Sequence, residues 1–344
     1  MVPLRASEQE DNTSSRDDVE HIIEVQHLSH QFDDFVAVDD VSFSVEKGEI
    51  FSFLGPNGAG KSTVINVLTT LLRLQKGSVT IAGYDLARDP VKIRKSIGIV
   101  FQQETLDRDM TVWETLEFHG RLYGLERADR RERIERLITL VELETKQDDL
   151  TRNLSGGMKR RLEIARGLMT RPAVLFLDEP TIGLDPQTRT RMWEYLREVN
   201  EEGTTIFLTT HYMDEADQLS NHIDIIDHGK VIISGRSWEL KNTLGQDLIY
   251  IETTDNVGAT RIVGENPSVR EVKKKGKGLL VMITEDGTHL LPGILESLQK
   301  EGIRLTAVNL KKPSMDDVFM HYTGKDLRDE EQPRMQPQAR RTRR

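Results

Sequence analysis

Two early segments, HIIEVQHLSHQF and VAVDDVSFSV, alternate apolar and polar positions in part and carry β-branched and aromatic residues. That is the pattern of strands in a half-exposed antiparallel layer. The pattern then changes. GEIFSFLG is a short apolar run ending at glycine, while AVLFLDEP and TTIFLTTH are continuous apolar runs. Such runs predict strands buried on both faces, in a parallel sheet wrapped by helices. Between about Leu106 and Arg171 the apolar spacing turns helical, with Ile134, Leu137, Ile138 and Val141 at i, i+3, i+4 and i+7. A helical insert therefore interrupts the sheet.

A shift in composition between Gly235 and Asp247 predicts a second unit. DLIYIE, VREVKK, GLLVMIT and IRLTAVNL read as strands, and Leu291, Ile294, Leu295 and Leu298 form a helical stripe. The order is β-α-β-β-α-β with the first helix weakly marked, which predicts a small ferredoxin-like α+β module. It closes with PSMDDVFMHYTG, where Ser314 and Asp317 have capping-box spacing ahead of the stripe Met315, Val318, Phe319 and Tyr322. The expected layout is a disordered segment 1–20, a nucleotide-binding unit 21–238 with its insert at about 106–171, the α+β module 239–324, and a basic tail 325–344. No internal repeat is visible.

Composition narrows the function classes. At 344 residues and 37% hydrophobic the chain suffices for two ordinary cores. A net charge of -10 argues against a general nucleic-acid binder. The terminal ARRTRR is expected to be a solvated tail rather than a binding site. With no cysteine there is no disulfide framework, thiol catalysis or cysteine metal site. No apolar run reaches the roughly 18 residues of a membrane span, and the polar, acidic start is unlike a signal peptide. Work at a membrane would need a partner to supply the membrane part.

The chemistry begins at GPNGAGKST, the residues Gly55, Pro56, Asn57, Gly58, Ala59, Gly60, Lys61, Ser62 and Thr63, between an apolar strand and an amphipathic helix. This is a phosphate-binding loop: its backbone N–H groups cradle phosphates, Lys61 reaches the β and γ oxygens, and the Ser62 hydroxyl ligates Mg²⁺. Asp178 ends the strand VLFLD and is placed as a second Mg²⁺ ligand; Glu179 follows it and is the candidate general base for water. Further on, NLSGGMKRRLEIARGL opens a helix with small residues Ser155, Gly156 and Gly157. A helix start has unpaired N–H groups and a positive dipole end, so that corner is a candidate half-site for a phosphate.

GPNGAGKST, LSGGMKRR, LFLDEPTIGLD and TTHYMDEAD, in this order, resemble the nucleotide-binding subunit of an ATP-binding-cassette (ABC) transporter over about residues 20 to 235. The resemblance implies an α/β P-loop NTPase cassette with a parallel sheet core, an antiparallel β layer and a helical insert. It implies ATP and Mg²⁺ as ligands. It also implies a homodimer or paralogous dimer of ATPase chains sandwiching two nucleotides head to tail, so that Ser155, Gly156 and Gly157 serve the neighbour's γ-phosphate. Gln102 matches the glutamine that senses Mg²⁺ and water, with Gln103 an equal candidate by position; His211 matches the switch histidine at the γ-phosphate. Phe32 matches the aromatic that stacks on adenine, or is a core aromatic of the β layer. Asp185 matches the loop that crosses the dimer seam. Met158 and Ile182 depart from the family pattern and are expected to act on the dimer interface rather than on the phosphates.

LDPQTR, THYMDEAD and DDVFMHYTG resemble the daunorubicin-resistance exporter group in particular, whose membrane halves are separate polypeptides. This implies an ATP-hydrolysing export subunit, peripheral at the cytoplasmic face of the cell membrane, with an integral membrane permease as partner and no specific nucleic acid. The alternative is a soluble cassette ATPase acting on ribosomes or nucleic acid. That class ordinarily carries two cassettes or long coiled coils, and this chain has one cassette and no sustained heptads.

Overall fold

The computed structural model describes residues 20–284 and 286–324; the N-terminal polar segment up to residue 19 and the basic tail from 325 lie outside the described residues. Strands β1 (His21–Phe32) and β2 (Phe35–Glu46) form an antiparallel hairpin, as their partial alternation predicts. Buried β3 (Ile50–Leu54) leads into α1 (Lys61–Leu68), after which β4 (Lys76–Ile81) and β5 (Tyr84–Asp85) return to the hairpin. The antiparallel layer has the order β2-β1-β4-β5.

After α2 (Pro90–Ser96) and β6 (Ile97–Val100) the chain enters the insert: α3 (Val112–Leu122), α4 (Arg127–Leu140) and α5 (Gly156–Leu168). Thr111 and Glu114 start α3 with reciprocal capping bonds, satisfying two donors that the helix itself cannot. Ile134, Leu137, Ile138 and Val141 are all buried, packed with Leu116 of α3 and Leu162 of α5 in one core. Helix α5 lies against β6 so closely that a Cβ at Gly98 would sit 2.4 Å from the Gly167 carbonyl oxygen.

The central sheet is completed by β7 (Val174–Asp178), α6 (Pro186–Glu201), β8 (Thr205–Thr210), α7 (Met213–Leu219), β9 (His222–Asp227) and β10 (Lys230–Gly235). Its order is β10-β9-β3-β8-β7-β6, parallel from β9 to β6, with β10 added antiparallel at one edge. Every residue of β3, β7 and β8 is buried, the physical reason for their unbroken apolar runs. Phe207 stacks on Phe51 and Phe53 at 5.2 and 5.6 Å between ring centroids, in a core shared with α1 and the antiparallel layer. Each such buried ring contributes about 1.5–3 kcal/mol of transfer free energy. This packing fixes the strand ends in register: Leu54 stands beside Thr210, and Asp178 beside Thr209. In an open α/β sheet, ligands collect at those carboxyl ends.

Helix α8 (Ser237–Asn242) connects to β11 (Asp247–Thr253), α9 (Asn256–Gly264), β12 (Val269–Lys275), β13 (Gly278–Ile283), α10 (Gly287–Lys300), β14 (Leu305–Lys311) and α11 (Met315–Thr323). The four strands form an antiparallel sheet in the order β12-β13-β11-β14, giving the expected β-α-β-β-α-β unit with one added helix. One face, including Ile249 and Val281, packs on α9 and α10. The other, including Leu248, Leu280 and Met282, meets α8, α11 and Met213 of α7, so β13 is buried throughout. Ser314 and Asp317 form the expected capping box at the start of α11. Among the described residues no helix is long and apolar enough to cross a membrane.

Candidate functional site

Strand β3 delivers the chain to Gly55, whose N–H donates to the Thr210 carbonyl at 3.2 Å. A Cβ here would stand 2.2 Å from the Ile226 carbonyl oxygen, so only glycine fits. At Gly60 the backbone is left-handed, φ +105°, and the loop turns directly into α1. Lys61 is 4% exposed and folds back over the loop, donating to the carbonyls of Gly55 at 2.6 Å and Pro56 at 3.1 Å. Its ammonium lies 3.3 Å from Glu179 Oε1. Burial pushes the lysine pKa down, and the charges of Glu179 and Asp178 oppose that shift.

Ser62, at the start of α1, and Asp178, at the end of β7, come together. The Ser62 hydroxyl donates to Asp178 Oδ1 at 3.3 Å, and the same oxygen accepts from Thr209 Oγ1 at 2.5 Å. A hydroxyl and a buried carboxylate oxygen are hard donors of the kind Mg²⁺ takes while keeping several waters, so the residues present fit that cation.

Glu179 is 6% exposed and sits just past β7 with φ +48°. Its N–H donates to both the carbonyl and the hydroxyl oxygen of Thr209, each at 3.1 Å. Oε2 accepts from the Gln102 side-chain amide at 3.1 Å, and His211 Nδ1 lies 3.2 Å away, at ion-pair distance but poorly aligned for a hydrogen bond. Burial by itself would raise the Glu179 pKa; the His211 contact and the Lys61 charge together outweigh it and hold the carboxyl below the ordinary value. Of the two adjacent glutamines, Gln102 is the one brought to the carboxylate. Its amide nitrogen points at Glu179.

Phe32 and Phe35 flank the turn between β1 and β2 and line one cleft of about 430 Å³ together with Pro56–Thr63, Gln102 and Glu179. Phe32 is 45% exposed, so it is not a core aromatic of the β layer; its ring stands on the rim of the cleft. Ile182, 39% exposed, lines the same cleft.

Ser155, Gly156 and Gly157 stand elsewhere. Ser155 caps α5 by accepting from the Met158 N–H at 3.3 Å, and Gly156 has open space where a side chain would be. Gly157 is pressed on Thr188, which a Cβ would approach to 2.7 Å. The corner lines a second cleft, with Met158, Arg161, Thr188 and Arg191. Asp185 caps α6, accepting from the Thr188 N–H at 3.0 Å and hydroxyl at 2.6 Å, and these bonds lower its pKa. Within one chain, the phosphate loop and the Ser155 corner line different clefts.

Three residues missed by the sequence reading belong to this arrangement. Thr209 ties Asp178 and Glu179 to β8, and its signal was the hydroxyl pair ahead of His211 in FLTTH. Phe35, across the turn from Phe32, is 65% exposed and lines the same cleft. Arg160 stands between Lys159 and Arg161 in sequence, a run that carries no motif signal, yet it is 7% exposed. An ammonium over a glycine-rich loop, a hydroxyl–carboxylate pair and a buried, ionised carboxylate are together suited to transferring a phosphoryl group to water.

Comparison with known proteins agrees with this geometry. A family profile described as "ABC transporter" matches residues 38–182, and one described as "ATP-binding protein DrrA1-3-like, C-terminal domain" matches 235–323. The chain is 38% identical to the daunorubicin resistance ATP-binding protein DrrA3 of Streptomyces coeruleorubidus, over 89% of this chain and 97% of that protein. It is also 38% identical to the Nod factor export ATP-binding protein I of Sinorhizobium fredii, over 93% of this chain and 91% of that protein. Among solved structures it is similar to the dimeric post-hydrolysis state of the ATP-binding cassette MJ0796 bound to ADP and Pi, with a TM-score of 0.57, 28% identity, and coverage of 62% of this chain and 98% of the other.

Proposed function

This chain belongs to the ABC transporter family of ATP-binding proteins, and we propose that it powers an exporter as a head-to-tail pair acting on a separate integral membrane permease. The observation that carries the reading is the convergence of Lys61, Gln102 and His211 on Glu179, all within 3.3 Å of its carboxylate. The phosphate loop holds the ATP phosphates through its N–H groups and Lys61, with the Phe32 ring against the adenine. Ser62 and Asp178 would hold magnesium. When bound, Mg²⁺ neutralises charge on the β and γ phosphates. Glu179, kept ionised by its neighbours, accepts a proton from the attacking water, and Gln102 and His211 orient the carboxylate and the water.

The separation of the two proposed half-sites supports the pair. Ser155, Gly156 and Gly157 form an exposed helix N-terminus outside the chain's own phosphate cleft, so the phosphate they serve is supplied by a second chain. The relative solved as a dimer with ADP and Pi supports the same arrangement. In this reading the chain sits peripherally at the cytoplasmic face of the membrane, in a homodimer or paralogous dimer, and needs no nucleic acid. Relatives named for daunorubicin resistance and for Nod factor export are equally similar at 38% identity, which fits a division of labour in which the membrane half selects the cargo.

The transport reading is tested by purifying the tagged full-length chain from membranes in mild detergent. An integral membrane protein is expected in roughly stoichiometric amount. Recovery of ribosomal subunits or RNA in its place would replace export with the soluble alternative.

A further inference from the structure

We propose that Arg160 is a positioning residue for hydrolysis: its guanidinium ties the backbone around Glu179 to the helix that begins at Ser155 and to the segment bearing Gln102. The proposal rests on the reading of Glu179 as the base. Arg160 lies in the second turn of α5 and spends its donors almost entirely on backbone carbonyls. Nε donates to Pro180 at 2.9 Å, and Nη2 to Asp178 at 2.9 Å and Glu179 at 3.2 Å, three consecutive residues at the end of β7. Nη1 donates to the carbonyl of Phe101, immediately before Gln102, and to Glu163 Oε2 at 3.1 Å.

The need for this fork follows from the backbone of Glu179. With φ +48° the residue is left-handed, a conformation that persists only where the surroundings hold it. Thr209 holds its N–H and Arg160 holds its carbonyl, so the peptide groups on both sides of the reactive side chain are fixed. Glu163, 2% exposed, extends the same grip. It neutralises Arg160 and accepts from the Thr105 N–H at 2.8 Å and hydroxyl at 3.1 Å. The segment 101–105 is thereby tied at both ends to one face of α5, with Gln102 between the ties.

Helix α5 begins at the Ser155 corner, so a displacement of that corner by a partner's phosphate reaches the Glu179 and Phe101 carbonyls through one buried, hydrogen-bonded side chain. Lysine could not do this. Its single ammonium cannot serve four carbonyls spread around a planar fork. The neighbouring cations are used differently: Lys159 pairs with Glu104 at 3.1 Å, and Arg161 donates to Tyr195 Oη at 2.8 Å.

The test compares Arg160→Lys and Arg160→Gln in the full-length chain, alone and combined with Glu179→Gln. A misplacement of about 1 Å in a reacting group costs up to about 100-fold, so Arg160→Lys is expected to lower kcat about 10- to 100-fold. The Kd for Mg-ATP should stay within about threefold of wild type, because the phosphate loop is untouched. In the Glu179→Gln background, Arg160→Lys should change the residual single-turnover rate by less than about twofold, since residues that act as a unit are not additive. Arg160→Gln should shift each quantity in the same direction and further; if it does not fold, the lysine variant decides alone.

Three results would overturn the proposal: a kcat within about twofold of wild type, ATP affinity lost in parallel with kcat, or the full loss repeated on top of Glu179→Gln. A purely structural arginine would give the second or third of these. Failure of the base assignment is seen separately, as wild-type turnover in the Glu179→Gln chain with Arg160 intact.

Discussion

Glu179→Gln should bind Mg-ATP almost as the wild type does and hydrolyse it about 10²- to 10⁴-fold more slowly, the span expected for loss of a positioned general base. Glutamine matches the volume and can accept from Gln102, so the geometry around residue 179 survives. What is lost is the proton acceptor. The phosphate loop and Lys61 are untouched by the substitution, which is why nucleotide binding persists. The substitution still removes one member of a buried ion pair, with Lys61 4% and Glu179 6% exposed, so some loss of thermal stability accompanies it in the nucleotide-free chain. Nucleotide titration combined with single-turnover hydrolysis separates the two effects. Hydrolysis at the wild-type rate would mean that another group activates the water.

Lys61→Ala should show the opposite division, with ATP affinity itself falling about 100-fold or more. A charge-assisted hydrogen bond contributes about 1.5–3 kcal/mol, and the ammonium is placed to make such bonds to two phosphates. Alanine also strands the Glu179 carboxylate beside the phosphate loop, where its charge repels the nucleotide it would otherwise help to process. The measurement is a direct ATP titration of the purified variant, read against Glu179→Gln. Affinity near that of the wild type would remove the phosphate-loop assignment on which the rest depends.

Much of the cassette was legible because its physics is local. The runs AVLFLDEP and TTIFLTTH have no polar face because β7 and β8 have none in the fold, and GPNGAGKST is dictated by close backbone approaches such as that of Gly55 to Ile226. The short strands β4 and β5 were passed over: KGSVTI is mostly polar and exposed at its start, and a two-residue strand has no period to detect. Helix α9 was weakly marked because NVGATRIVG contains two glycines, and its start depends on Asp255 accepting from the Val257 and Gly258 N–H groups. The antiparallel edge strand β10 was hidden because pairing direction leaves little trace in a single strand.

At the site, residues that act through side-chain type in a fixed motif were readable, and residues that act through backbone were not. Arg160 and Thr209 do their work on carbonyls and N–H groups of neighbouring strands, contacts made only when distant segments fold together.

The proposed pair shares its sites: each chain binds ATP with its own phosphate loop and lends the Ser155 corner to its neighbour. This sharing is tested most directly by the ATP affinity of a purified Ser155→Arg monomer. The substitution fills the open approach beside Gly156 and removes a helix cap, at a cost of about 1 kcal/mol, while leaving Lys61, Ser62, Asp178 and Glu179 in place. A monomer Kd within about threefold of wild type is expected, with no dimer on adding Mg-ATP, since the arginine occupies the place where helix N–H groups meet the partner's phosphate. A loss of monomer affinity as large as that of Lys61→Ala would show that the corner acts on its own chain's nucleotide, and would contradict the shared site.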